Sequence, residues 1–457
     1  MMAWTRAEDT VSQPTPSDTA STLRSVTGSG DEGVQDDTPV TAVQPVHPYV
    51  HVVIVAVVGA VSVLAWLVVY EALDRLIWDN ALITANPWLF PAICLPFSLL
   101  VGALVKYRNA PTNLNESMLE SLSGDVSKID WRTLPVNVVM ALVSLLSGAV
   151  LGPEGGIGGI ASKIAALYNE RIGIPVEHRS RLVFSTLASA YNGLVANPLF
   201  TGVLGAELIA DQDAKSRNLP ATLIGGSIGY LIFLAAGQSG LNDYLHLSPD
   251  QPYAPIDVVT VIGCGLLGLV LAIVAGGLFR AATALFGRFE DREIERALLA
   301  GLIFSVVGVF APILLFSGET QIGTVVNGQA SYTPLTLLAM AIVKLALLAV
   351  AFKSGFLGGP TFPAIFAATC VALAVGQVFP GIRLDVLIGG TMAGFLIVLF
   401  KAPFMVILLT AVMLAASPEL IALIVLAVAS VMIVQPYLLA AIAARQAARE
   451  RSRSAAG

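Results

Sequence analysis

Apolar runs recur along the chain at 50–70, 88–105, 134–151, 256–278, 298–316, 334–352 and 419–444. Each approaches or exceeds the ~20 apolar residues an α-helix needs to cross a hydrocarbon core. Between them lie shorter apolar stretches at 157–168, 198–210, 361–377 and 402–415. Backbone polar groups cannot face lipid unpaired, so these short pieces belong inside the protein or along a cavity. The pattern predicts an all-α polytopic membrane protein with tilted, re-entrant and broken helices among the spanning ones. Composition agrees: 56% of residues are hydrophobic, 12% are charged, and the mean hydropathy is +0.80, far too apolar for a soluble globular chain.

The ends read differently. Residues 1–47 are rich in Asp, Glu, Ser, Thr and Pro and predict a disordered acidic and polar N-terminal tail. Residues 48–446 form the membrane domain, and 447–457 a short basic C-terminal tail. Much of the net charge of −6 comes from the N-terminal tail, so it implies no nucleic-acid partner. That tail lacks the basic start and short apolar run of a signal peptide, which makes 50–70 the first insertion. The basic run Arg445, Arg449, Arg451 and Arg453 places the C-terminus in the cytoplasm by the positive-inside tendency. A multi-pass protein of the cell (inner) membrane follows.

Cys94, Cys264 and Cys370 lie far apart in apolar runs and read as buried thiols. His47, His51, His178 and His246 show no metal-ligand spacing and no catalytic arrangement with Ser and Asp. No phosphate-binding loop appears. The expectation is a transporter rather than an enzyme, with no cofactor and no metal.

The chemistry concentrates where an apolar run breaks at Ser147-Gly148-Ala149-Val150-Leu151-Gly152-Pro153-Glu154-Gly155-Gly156. The same punctuation returns 207 residues later as Ser354-Gly355-Phe356-Leu357-Gly358-Gly359-Pro360-Thr361-Phe362-Pro363, with Thr361 in the place of Glu154. Proline suits the first turn of a helix, and glycine permits the turn before it. A half-helix therefore begins near Pro153 and another near Pro360. Each start leaves unpaired N–H groups at the positive end of a helix dipole, which attract an anion strongly in a low dielectric. Asn197-Pro198-Leu199 and Ala402-Pro403-Phe404 repeat at nearly the same offset, 205 residues. Two halves, roughly 88–237 and 256–446, thus share one order of parts. Paired interrupted segments of this kind point to a transport site near the bilayer midplane.

Five of these segments, in order, resemble the CLC family of chloride channels and chloride/proton antiporters. Gly152-Pro153-Glu154-Gly155-Gly156, after a helix opening with Leu134-Pro135-Val136, is similar to the family's Gly-Arg-Glu-Gly-Pro in its glutamate and two glycines, without its arginine and proline. Asn197-Pro198-Leu199 with Gly202 and Glu207 resembles Asn-Ala-Pro-Leu-Ala-Gly and the acidic residues after it. Gly358-Gly359-Pro360-Thr361-Phe362-Pro363 resembles Gly-Gly-Ile-Phe-Ala-Pro, and Lys401-Ala402-Pro403-Phe404 resembles Arg-Ala-Pro-Leu. Gln435-Pro436-Tyr437 resembles the last helix, which carries a tyrosine. The resemblance implies inverted repeat halves, a homodimer with one pore per subunit, and transport of chloride or another small anion, with protons as a second cargo in the antiporters.

Glu154 is the expected gate and proton carrier: a carboxylate at a half-helix start can occupy the anion site and leave it on protonation or displacement. Gly155 and Gly156, and across the repeat Thr361 and Phe362, are the expected backbone anion donors. Pro360 replaces a family residue whose N–H faces the anion, and a proline cannot donate. The family's anion-touching serine falls at Asn113, with Thr112 beside it, although its Gly-Ser-Gly-Ile-Pro motif is absent. Tyr437 is either a phenol for the inner anion site or an interfacial anchor. Glu207 is the candidate inner proton-transfer carboxylate; its neighbours are Ala206 and Leu208, not a second acid. Fluoride export within the family, a different broken-helix transporter in which Glu154 binds substrate, and a family-derived protein that no longer transports stand as alternatives.

Overall fold

Every long apolar run becomes a helix, and the places where the helices stop are set by the punctuation. The structure is a computed structural model; it describes residues 47–112, 129–208, 212–237, 245, 247 and 252–454. The acidic tail at 1–46 and Asn113 lie outside the described residues. Sixteen helices run through the described residues. The first eight are α1 (Pro48–Trp78), α2 (Ala81–Ala85), α3 (Phe90–Arg108), α4 (Leu134–Leu146), α5 (Glu154–Ile172), α6 (Val176–Ala190), α7 (Pro198–Leu208) and α8 (Gln212–Ala235). The next eight are α9 (Pro255–Phe286), α10 (Glu293–Phe310), α11 (Glu319–Asn327), α12 (Pro334–Lys353), α13 (Thr361–Val378), α14 (Leu384–Phe400), α15 (Pro403–Met413) and α16 (Pro418–Ser454).

Seven helical stretches are long and apolar enough to cross a membrane, and the protein is an integral multi-pass membrane protein. Two expected spans are shorter than their apolar runs. The run 134–151 supplies only the 13-residue α4, because Ser147 and Gly148 end it. The run 298–316 stops at Phe310, since Pro312 cannot continue a helix and starts a separate turn at Pro312–Leu314. Conversely, Ser216–Ala235 is a spanning stretch that its polar start and internal Pro220 disguised.

The two halves repeat one packing pattern. In the first, α1 packs on α6 and α8, and α6 on α8; in the second, α9 packs on α14 and α16, and α14 on α16. α1, which precedes the expected start of the first half near residue 88, therefore corresponds to α9. Between the halves, α3 packs along α10 so closely that a Cβ on Gly102 would lie 2.7 Å from Ile294 Cα. The start of α14 is pinned by Asp385, whose carboxylate accepts from Arg383 Nη2 at 2.9 Å and from the Tyr253 hydroxyl at 2.7 Å.

The helices that carry the repeated motif are enclosed along most of their length. The first turns of α5 and α13 are buried, from Glu154 to Ala166 and from Thr361 to Ala374. The apolar stretch 361–377, expected to be short, is thus an 18-residue helix long enough to span, and it lies among other helices.

Candidate functional site

The site is built by two similar turns that meet. After α4, Ser147 Oγ donates to the Ser144 carbonyl at 2.7 Å, and Gly148 adopts φ +80°, a left-handed conformation open to glycine. After α12, Ser354 Oγ donates to Val350 O at 2.6 Å, and Gly355 adopts φ +97°. After the first turn the chain bends again, the Leu151 amide donating to Ala149 O at 2.9 Å, and each copy then reaches its Gly-Pro. There the Gly152 amide donates to Gly359 O at 2.8 Å and the Gly359 amide to Gly152 O at 2.9 Å, a small antiparallel bridge between the halves. A second tie runs from the Leu357 amide to Ser144 Oγ at 3.0 Å. The turns bring the starts of α5 and α13 together: a Cβ on Gly155 would sit 2.9 Å from Gly358 Cα.

Glu154 occupies the meeting point. It is buried, and its Oε1 accepts the Thr361 amide at 3.1 Å, while the Thr361 hydroxyl and the Phe362 amide also face the carboxylate. Oε2 packs against Gly152 and Gly359, where a Cβ on either would collide with it, and it accepts no hydrogen bond from the described residues. A carboxylate from one half thus sits on the N-terminus of a half-helix from the other. Pro360 is no obstacle to this arrangement, because the donors come from the two residues after it.

The other expected residues fall in different places. Gly155 and Gly156 line the start of α5, and their small size serves close packing, against Gly358 and against the Trp66 ring respectively. Thr112 follows α3 and is half-buried near Gly355. Glu207 is not at the Glu154 site. Its carboxylate accepts from the Phe404 amide at 3.0 Å and the Met405 amide at 2.6 Å, at the start of α15. Tyr437 is 76% exposed, so its phenol does not lie among the buried groups around Glu154.

Two buried polar side chains were missed from sequence. Tyr191 follows α6; its hydroxyl donates to the Glu154 carbonyl at 3.3 Å and fits only because Gly158 has no side chain, a Cβ there lying 2.8 Å from the phenol oxygen. Lys344, on α12, is fully buried and donates to three carbonyls, Leu314 at 3.2 Å, Leu315 at 2.8 Å and Phe316 at 3.0 Å. Its ammonium also lies 4.8 Å from the centre of the Phe366 ring on α13. Lys344 ties the break after α10 to α12 and α13, and the Phe316 amide in turn reaches Gly148 O. A lone lysine inside an apolar 334–352 was the available signal, because a charge there needs a partner.

A family model described as "Voltage gated chloride channel" matches residues 97–435. The chain belongs to this family. Among its relatives is YfeO of Escherichia coli (strain SMS-3-5 / SECEC), a protein named for ion transport. It is 25% identical over 384 residues that cover 82% of this chain and 87% of YfeO. YfeO of Escherichia fergusonii is 26% identical over 362 residues, 75% of this chain and 83% of that one. The fold is that of CLC transporters. A slow cyanobacterial Cl⁻/H⁺ antiporter superposes with a TM-score of 0.72 at 20% identity, covering 86% of this chain and 95% of the antiporter. A CLC-type fluoride/proton antiporter superposes with a TM-score of 0.68 at 16% identity, covering 84% and 94%.

Proposed function

We propose that this CLC-family chain moves a small anion, chloride first and fluoride as the alternative, through a pathway that Glu154 closes. The observation that carries this reading is the Glu154 carboxylate on the Thr361 amide. Half-helix amides that hold a carboxylate can hold an inorganic anion in its place, and the two compete for one set of donors. Protonation removes the charge that holds Glu154 there, so the side chain yields the site to the anion as pH falls. The same proton makes Glu154 a carrier if its two positions face opposite sides of the membrane.

The functional unit under this reading is a homodimer in the cell (inner) membrane, with one pathway per subunit and a cytoplasmic C-terminus. Fold and family resemblance support this arrangement. The test is efflux of chloride and of fluoride from liposomes carrying the purified protein, with internal pH recorded. Anion-selective flux supports the reading, and uphill proton movement with it identifies an exchanger. Flux of cations or small carboxylates in place of halides points to the broken-helix alternative, and no flux above protein-free liposomes points to a chain that no longer transports.

A further inference from the structure

Trp131 stands between two arginines where α4 begins and α5 ends. The guanidinium carbons of Arg132 and Arg171 each lie 5.9 Å from the centre of its ring, and its Nε1 donates to Glu170 Oε2 at 2.5 Å. The group rests on fixed backbone. The short turn Trp131–Thr133 packs on α5, and the Asp130 carboxylate accepts the Arg132 amide at 3.0 Å. At the other side α5 closes at Gly173, φ +69°; the Ile174 amide donates to Asn169 O at 3.0 Å, and Arg179 Nε to Ile174 O at 2.9 Å. Arg132 and Arg171 themselves are exposed, and the indole is the contact that each guanidinium makes within the described residues.

The sequence around this group changes from polar to apolar. Residues 134–151 carry no charge, directly after Asp130 and Arg132, and on α5 Glu170 and Arg171 are the first charged residues after Lys163. A tryptophan with basic neighbours at such a change marks the level of the lipid headgroups. Beside Arg171, Ile172 is 53% exposed, and across the turn Val176 is 73% exposed. Apolar side chains turned outward next to guanidinia match a partner that is itself amphipathic. Guanidinium forks fit phosphate oxygens, which the two arginines can offer together. The acids at this end are Glu170, engaged by the indole, Asp130, engaged by the Arg132 amide, and Glu177 on the first turn of α6.

We propose that Trp131, Arg132 and Arg171, with Ile172 and Val176, form a binding site for an anionic phospholipid. The two guanidinia take its phosphate, while the indole and the apolar pair lie along the upper part of its acyl chains. The site joins the start of α4 to the end of α5, the helices on either side of the turn that presents Glu154, so a bound lipid braces that frame. It does not depend on the transport reading, because it uses neither Glu154 nor the half-helix amides.

The test is tryptophan fluorescence of the full-length protein in phosphatidylcholine vesicles that contain phosphatidylglycerol brominated high in its acyl chains, or brominated phosphatidylcholine at the same mole fraction. Subtracting the signal of Trp131→Phe isolates the ring in question. Bromine quenching of Trp131 should report phosphatidylglycerol enriched over phosphatidylcholine, by about fivefold for each arginine. Arg132→Gln and Arg171→Gln should each lower the enrichment by about that factor, and the double variant should lose it. High salt should shrink it in the wild type, a comparison that needs no variant to fold. Equal quenching by the two lipids overturns the proposal, as does an enrichment that both substitutions or high salt leave intact. A Trp131 that neither brominated lipid quenches places the ring away from the bilayer and overturns it too.

Discussion

Glu154 and Thr361 are 207 residues apart in the chain, and the carboxylate of one accepts the backbone amide of the other at 3.1 Å. They occupy the same position in the two copies of one motif. A second pair repeats the arrangement, Glu207 with the amides of Phe404 and Met405, so two carboxylates of the first half each cap a helix start in the second. The first pair is buried, and the second is partly open. Under the proposed function, burial at the first pair is what sets an inorganic anion and the carboxylate in competition for the same amides.

Gly359 is predicted to tolerate no side chain. A Cβ there collides with Glu154 Oε2. Gly359→Ala should push the carboxylate off the Thr361 amide, lower stability by about 1–3 kcal/mol, and leave an anion flux that no longer responds to pH. Thermal unfolding in detergent and efflux over a pH series measure the two effects. A flux that keeps the wild-type pH response would show that the contact with Gly359 does not hold the gate.

Lys344 is predicted to be structural and costly to remove. Lys344→Met strands three carbonyls in the break after α10, at a cost on the order of 3 kcal/mol. Lys344→Arg keeps the charge but spreads its donors in a plane, which three converging carbonyls do not match, so it should recover only part of the loss. Denaturation midpoints of the three proteins decide this, and equal midpoints would count against the clamp.

Tyr191→Phe removes one oxygen and nothing else. Loss of the hydrogen bond to the Glu154 carbonyl should lower stability by about 1 kcal/mol, with the ring packing preserved. Gly158→Ala crowds the same oxygen and should cost more. The order of the two melting temperatures is the check.

Glu207→Gln should lose one of two capping bonds to α15, about 1 kcal/mol, and leave anion efflux near the wild-type rate. If instead proton movement stops while anion efflux continues, Glu207 carries protons as well as capping a helix.

Much of this was legible in the sequence, for identifiable reasons. Proline and glycine fix where helices start, so Pro153 and Pro360 marked α5 and α13 to within a residue. The repeat made it possible to pair Glu154 with Thr361, but the sequence could not show that they touch. That contact depends on the Gly152–Gly359 bridge, made by backbone groups that leave no compositional trace. Glu207 illustrates the opposite difficulty. An acid near a helix end reads equally as a proton carrier or a cap, and only the position of α15 shows which amides it meets. Tyr191 was hidden in a run of small residues because its significance rests on Gly158, 33 residues away, having no side chain.

The most direct test of the central claim is anion efflux from liposomes between about pH 4 and 8 for wild type and Glu154→Gln. The glutamine cannot carry the charge that holds the carboxylate on the Thr361 amide and resembles the protonated gate. Wild-type flux should rise as pH falls, and Glu154→Gln should show a flux that is flat across the range. An unchanged pH response in Glu154→Gln would contradict the account, because the titrating gate would then be some other group.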